Sequence, residues 1–254
     1  MDEAFGASDA VDAAHPVQHL VQRGRRLRGH LQQQVDAARL GAALAGAVLN
    51  SETYRSVARG IARFLTETAT TGDRLIRSWR KGRSGPEGFC DDYAATALGL
   101  FSLYQATGEE QWYRSAERLT RAMVELFADP GGGFYATPAD AERLIARPKN
   151  THDNPTPSDN ALAAEALATL AAYTGDSDLP ALLEQTIQSI GPSLSSHPWA
   201  HGSLLGVWLA TPMREVAIVG PEGARRPLVD VAWDEFRPDT VLAQSSGSVS
   251  DVPL

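Results

Sequence analysis

Two segments of this chain constrain its fold more than anything else: DDYAATALGLFSLYQATG, ending at Gly108, and SDNALAAEALATLAAYTG, ending at Gly175. Aligned end to end, Asp92 falls on Asp159, Ala94 on Ala161, Leu100 on Leu167, Leu103 on Leu170 and Thr107 on Thr174. Past their opening acids both are apolar on every side of a 3.6-residue repeat. A helix apolar all round must be buried all round, so each needs neighbours on every face. The neighbours repeat as well. YRSVARGIARFL from Tyr54 recurs as YRSAERLTRAMV from Tyr113, with arginines on one stripe and apolar residues on the other. Self-similarity at this spacing marks a helical repeat.

The pattern predicts buried helices over 92–106, 160–173 and 200–210, and amphipathic ones over 51–67, 110–127 and 178–190. Buried and half-exposed helices in alternation are helical hairpins packed side by side, as in an α/α toroid or a solenoid. The fold class expected is all-α: a partial (α/α) toroid of the six-hairpin glycosidase-like kind. EVAIVG (215–220) and TVLAQ (240–244) read as two short strands, expected to form a β hairpin near the C-terminus. The domain reading is an atypical extension over 1–34, a toroid domain over 35–244 and a disordered tail over 245–254.

Composition narrows the function classes. The chain has 254 residues and a net charge of −8, which argues against nucleic acid, since phosphate affinity needs a basic surface. No apolar run reaches the ~18 residues that span a bilayer, so no membrane partner is expected. The acidic start MDEAFGASDA has no secretory character, and a single cysteine, Cys90, excludes an internal disulfide framework. The expected localisation is cytoplasmic. Cys90 beside Phe89 reads as a small apolar filler, with a nucleophilic role as the alternative.

Between the repeats lies a polar segment of about thirty residues, long for a connection inside a domain. It carries Phe134, Tyr135, Arg143, Arg147, Lys149, Asp153, Asn154, Asp159 and Asn160. The inner helices open on polar residues: Asp91, Asp92 and Tyr93; Ser158, Asp159 and Asn160; His197, Trp199 and His201. Around a common axis these starts would gather at one mouth, where free amides and the helix dipole suit polyols and anions. The plainer reading of Asp92 and Ser158 is that they cap their helices. Glu165 is the sole charged residue from Ala161 to Tyr173. A buried carboxylate must be paired, hydrogen-bonded or protonated; a salt bridge to Arg147 or Lys149 competes with a functional role. Candidate catalytic residues are therefore Glu165, Asp153 and Asp92. Candidate substrate-binding residues are Phe134, Tyr135, Arg147, Asn160, Tyr93, His201 and Trp79, the aromatics offering flat faces to sugar rings. Gly131–Gly133 is a turn signal, not a phosphate loop. His197 and His201 are interrupted by Pro198 and make no clean metal pair. No metal and no cofactor are expected.

Taken together, GFCDDYAATALGLFSLYQATG, the stretch from GGGFY through RPK (147–149) to Glu165, and REVAIVG resemble the C-terminal half of the spermatogenesis-associated, thioredoxin-domain-containing proteins. The resemblance runs from about Tyr54 to about Ala243. It implies an (α/α)6 toroid of six-hairpin type, related to N-acylglucosamine 2-epimerase, behind an N-terminal thioredoxin-like domain. That domain and its cysteine motif have no counterpart before Tyr54, and Asn154 and Asp159 stand where glycine is expected. The helices present make three to four hairpins where a closed ring needs six. A thioredoxin-type redox role is rejected for want of cysteines. Two readings stay open. One is a carbohydrate groove, isomerase- or glycosidase-like if active, with a small carbohydrate as partner. The other is a non-catalytic binding or assembly module, a truncated piece of a larger protein, with a homo-oligomer or a complementary chain covering the open toroid.

Overall fold

A computed structural model describes residues 42–80, 82–141 and 146–247. The 1–34 extension, the first residues of the 35–244 domain, Arg143 and the end of the tail lie outside the described residues. The described chain is mostly helical. A short helix over 42–48, α1, leads to α2 (Glu52–Arg63), which widens into a π turn over Phe64–Thr68. Two small antiparallel ladders follow, β1 (Thr70–Thr71) with β2 (Arg74–Leu75), and β3 (Trp79–Arg80) with β4 (Arg83–Ser84). Then come two helical hairpins: α3 (Cys90–Thr107) with α4 (Glu110–Phe127), and α5 (Asp159–Thr174) with α6 (Asp178–Ser196). A 3-10 turn over Pro198–His201 starts α7 (Gly202–Ala210). The chain ends in β5 (Arg214–Val219), α8 (Glu222–Trp233) and β6 (Thr240–Ser245).

The apolar helices are central. α3 packs against α2, α4 and α5, and α5 against α3, α4, α6 and α7. Phe101, Leu103, Ala164, Leu167 and Leu170 are buried between them. Both helices stop at a left-handed glycine, Gly108 (φ 69°) and Gly175 (φ 63°), a conformation that costs a Cβ-bearing residue. α4 turns Trp112, Tyr113, Leu119 and Met123 inward and keeps its charges outside, where Glu110–Arg114 and Glu117–Arg121 pair along the helix.

The C-terminal strands correct one expectation. They do not form a hairpin: β5 and β6 pair parallel, Arg214 opposite Thr240 through Val219 opposite Ser245. Parallel neighbours need a crossover, and α8 supplies it. α8 covers the pair with a small core of Ile218, Val229 and Leu242. On the other face of β6, Val241 and Ala243 enter the main core. The outer edge of β6 is closed by side chains. Tyr173 donates its hydroxyl to the Leu242 carbonyl (3.0 Å), and the Leu242 amide donates to Gln105 Oε1 (3.2 Å). Tyr173 also joins Phe101, Tyr104 and Tyr113 in an aromatic cluster with ring centroids 5.4–5.6 Å from it.

Leu167 is fully buried in the middle of α5. Leu167→Ala is expected to cost about 2–5 kcal/mol, read as a lowered urea midpoint with an unchanged slope.

Candidate functional site

The starts of α3, α5 and α7 are joined by the polar segment, and backbone contacts show how. The Cys90 amide, first in α3, donates to the Ala136 carbonyl (3.1 Å). The Asp153 amide donates to the Ala200 carbonyl (2.8 Å), just before α7. Between them, Asn160 in the first turn of α5 makes three hydrogen bonds. It accepts from the Phe134 amide (2.8 Å) and donates to the carbonyls of Phe134 (3.0 Å) and Asn150 (2.9 Å). The chain approaches Asn160 closely: a Cβ on Gly133 (φ 77°) would sit 2.8 Å from Asn160 Oδ1. The glycine run is a turn, as its composition implies, and it is also the condition for this contact.

The acids at the helix starts are engaged locally. Asp92 accepts from the Phe89 amide (2.8 Å), closing the first turn of α3, and pairs with Arg77 (2.7 Å), which also reaches Asp91 (3.2 Å). Asp153 Oδ1 accepts from the Ser158 amide (2.9 Å) and Oδ2 from the Ser203 amide (2.7 Å), so one carboxylate braces the starts of α5 and α7. Burial works against its charge, but these amides outweigh it and hold the carboxyl below the usual range. Ser158 caps α5 by accepting from the Ala161 amide.

Asp159 is different. It is buried, and burial first, then the nearby Asp91 charge, push its carboxyl from 3.8 up to about 6, against a hydrogen bond from Asn150 Nδ2 (2.9 Å). Sequence spacing gave no sign that Asn150, Arg77 and Asp91 would converge on it. Their segments meet only through the loop.

The aromatic candidates are mostly structural. Phe134 is fully buried and offers no face to a ligand. Tyr93 lies in the core, its hydroxyl accepting from the Leu75 amide (2.9 Å) and donating to the Asp73 carbonyl (3.1 Å). Trp79, on β3 rather than on a turn, packs edge-on against Phe64 at 5.6 Å. Tyr135 is half-buried under two cations, Arg147 at 4.1 Å and Lys149 at 5.1 Å from its ring centre.

Neither of those cations pairs with Glu165. Arg147 donates to the Thr137 carbonyl (2.5 Å), and Lys149 bridges to Asp129 (2.5 Å). Glu165 is half-buried on α5, its carboxyl raised by burial alone. The salt bridge expected of it is replaced by partial exposure, which lowers the cost of a charge there.

His201 is fully buried. Its Nδ1 lies 2.8 Å from the Thr151 carbonyl and its Nε2 2.9 Å from Ser193 Oγ, which meets His152 Nε2 at 3.0 Å. A carbonyl only accepts, so Nδ1 carries a proton and donates it to Thr151. Ser193 Oγ is thus shared by two imidazoles, those of His201 and His152. The group pins the loop to α6.

Cys90 is fully buried, and burial pushes its thiol up, which suits a filler. Among the described residues no group of three or more His, Cys, Asp or Glu could share a metal ion, and no helix is long and apolar enough to cross a membrane. A cavity of about 10 Å³ between α2 and α3, lined by Ala58, Leu65, Thr96, Gly99 and Leu103, has room for about one water and not for a sugar ring.

No family model matches the chain. Three curated relatives do. Mouse spermatogenesis-associated protein 20 is 33% identical over 173 residues, covering 61% of this chain and 22% of the relative. The human protein is 28% identical over 249 residues, covering 90% of this chain and 32% of the relative. The chain is homologous to spermatogenesis-associated protein 20. The rat protein repeats the mouse figures, 33% over 173 residues. The chain thus spans between 22% and 32% of the length of the relatives it matches.

Two outcomes follow. Asn160→Ala strands the buried amide and carbonyl of Phe134, and an expected loss of about 3 kcal/mol is measured by urea denaturation. Asp159 has a folded-state carboxyl raised to about 6 against an unfolded value near ~3.9. The folded state therefore binds the extra proton between these values, and this site's contribution to stability falls as pH rises from ~4 to ~6. Asp159→Asn removes that fall. Wild type minus variant stability should drop by about 2 kcal/mol between pH 4.5 and 7 in parallel denaturation series.

Proposed function

We propose that this chain is a non-catalytic helical module of partial-toroid type, which works by binding or assembling through its apolar faces. The observation that carries this reading is the employment of the candidate polar groups. Asp92, Asp153, Asn160 and Tyr93 each spend their hydrogen bonds on holding the loop and the helix starts. A group so engaged is tied to the fold, and a substrate that took over these bonds would loosen the loop. Meanwhile α7 leaves Trp208 and Leu209 at 53% and 85% exposure, and exposed large apolar side chains side by side mark surfaces that meet partners. Homology to spermatogenesis-associated protein 20 supports the family and leaves the activity open.

A second reading keeps the carbohydrate groove, and Glu165 favours it. Burial raises the value of this carboxyl, and Arg147 and Lys149 are engaged elsewhere. That is the environment of a general acid. With Asp159, also raised, it supplies two protonatable carboxyls for an isomerase- or glycosidase-like enzyme acting on a small carbohydrate in a cytoplasmic setting.

Light scattering after size exclusion tests the first reading. Assembly rising with concentration is expected, and a strict monomer at ~100 µM overturns it. A screen of sugar epimerisation and hydrolysis tests the second. Activity lost in both Glu165→Gln and Asp159→Asn would restore the enzyme; an inactive wild type leaves the module.

A further inference from the structure

The two edges of the C-terminal sheet are treated differently. The edge of β6 is sealed, by Tyr173 and Gln105 on Leu242, and by Gln244 Nε2 donating to the Gln105 carbonyl (2.8 Å). β5 has β6 as its one strand neighbour among the described residues. Five of its six residues are exposed, including Val216 and Val219, and Ile218 alone is buried. A two-stranded sheet is marginal by itself, and an unguarded edge of β-branched residues is a template for another strand. Its charged residues, Arg214 and Glu215, both lie at the first end, so the middle and far end carry no gatekeeper charge.

We propose that β5 is a dimer interface, in which two copies of the chain pair their β5 strands antiparallel about a two-fold axis at Ala217. The proposal deepens the assembly reading above and rests on it. The register follows from face and charge. Side chains alternate along a strand, so Val216 shares the face of Ile218, which packs under α8. A register centred on Ala217 sets Val216 opposite Ile218 of the second copy and both copies of α8 on one face. A one-residue shift would place them on opposite faces. In the centred register Glu215 falls opposite Val219 and Arg214 opposite Gly220, so no like charges meet. Because the β6 edges are already sealed, the pairing stops at four strands, in the order β6, β5, β5, β6. An interface that uses the same patch on both copies closes as a dimer and does not grow into a fibre.

The register gives a sharp test. Directly opposed residues in an antiparallel pair have Cα atoms about 4.5–5.5 Å apart, within the range a disulfide bridges. Ala217→Cys meets its own copy on the axis. Glu215→Cys is displaced from its copy by four residues, about 13 Å along the strand, and serves as control. The native Cys90 is buried and takes no part. The 254-residue chain under mild oxidation should give a disulfide dimer on a non-reducing gel, lost on reduction, for Ala217→Cys at least tenfold above Glu215→Cys. Val216→Lys should shift the dimer to monomer in light scattering, with its circular dichroism unchanged. A monomeric wild type overturns both the dimer and the assembly reading. Assembly that survives Val216→Lys, with no preference for Ala217→Cys over Glu215→Cys, overturns the β5 interface alone. If Val216→Lys fails to fold, the cysteine comparison decides. A monomer whose β5 amides resist hydrogen exchange means an edge covered within one chain, and also overturns the dimer.

Discussion

One side chain holds the polar segment to the helices. Asn160 presents its oxygen to the Phe134 amide and its nitrogen to two carbonyls, in a site with no access to water. Three satisfied bonds from a single buried amide are close to all that the group can make. The cost of ordering about thirty residues of loop grows slowly with length, but it must be met by contacts. Phe134 meets much of it by burying its ring, and Asn160 fixes where that burial occurs. The glycines before Phe134 let the chain come near enough, and Lys149 locks the turn from outside through Asp129 and the Gly132 carbonyl (2.6 Å). The loop is therefore part of the core and not a lid laid over it.

The central helices were legible because burial on all sides leaves a direct trace in composition. The stretches read as 92–106 and 160–173 are observed as Cys90–Thr107 and Asp159–Thr174, with their ends at the predicted glycines. The orientation of the last two strands was not legible. A run such as EVAIVG shows that a strand exists but carries no information on its partner's direction. The deciding element, α8, was masked by EGARRPLVDVAW, whose Gly223 and Pro227 read as breakers although the segment is helical. The polar residues were found but their employment was not. Sequence shows an aspartate before a helix; it does not show that both oxygens of Asp153 are taken by amides from two different helices. Glu165 shows the reverse case. Sequence left it paired, hydrogen-bonded or protonated, and in the structure it is half-buried, with burial raising its carboxyl.

The acids at the helix starts divide by environment. Asp153 and Asp92 accept hydrogen bonds to their charged forms, so their ionisation supports the fold. At Asp159, by contrast, burial and the Asp91 charge oppose ionisation. A protein that only needed caps would gain by placing Asn there. Arg77 spans Asp91 and Asp92 nearby and favours the Asp159 charge from a distance, so the cluster shares one cation. The energetic tension is local to the mouth formed by α3 and α5, and it is the one polar feature there that capping does not explain.

The C-terminal unit shows how a small sheet can belong to a helical core. Val241 and Ala243 pack into the main cluster while Leu242 faces α8, so β6 is a shared wall between two cores. Tyr173 makes the same connection from the helical side, stacking on Phe101 at 5.6 Å while its hydroxyl closes the strand edge. One aromatic residue thus satisfies a buried carbonyl that would otherwise cost about 1–3 kcal/mol. Among the described residues β5 receives no equivalent side-chain hydrogen bond. The strand is held by β6, by α8 and by a lighter contact with α5. The two edges of the same two-stranded sheet are thus finished by different means, one by side chains of the helical core and the other by none among the described residues.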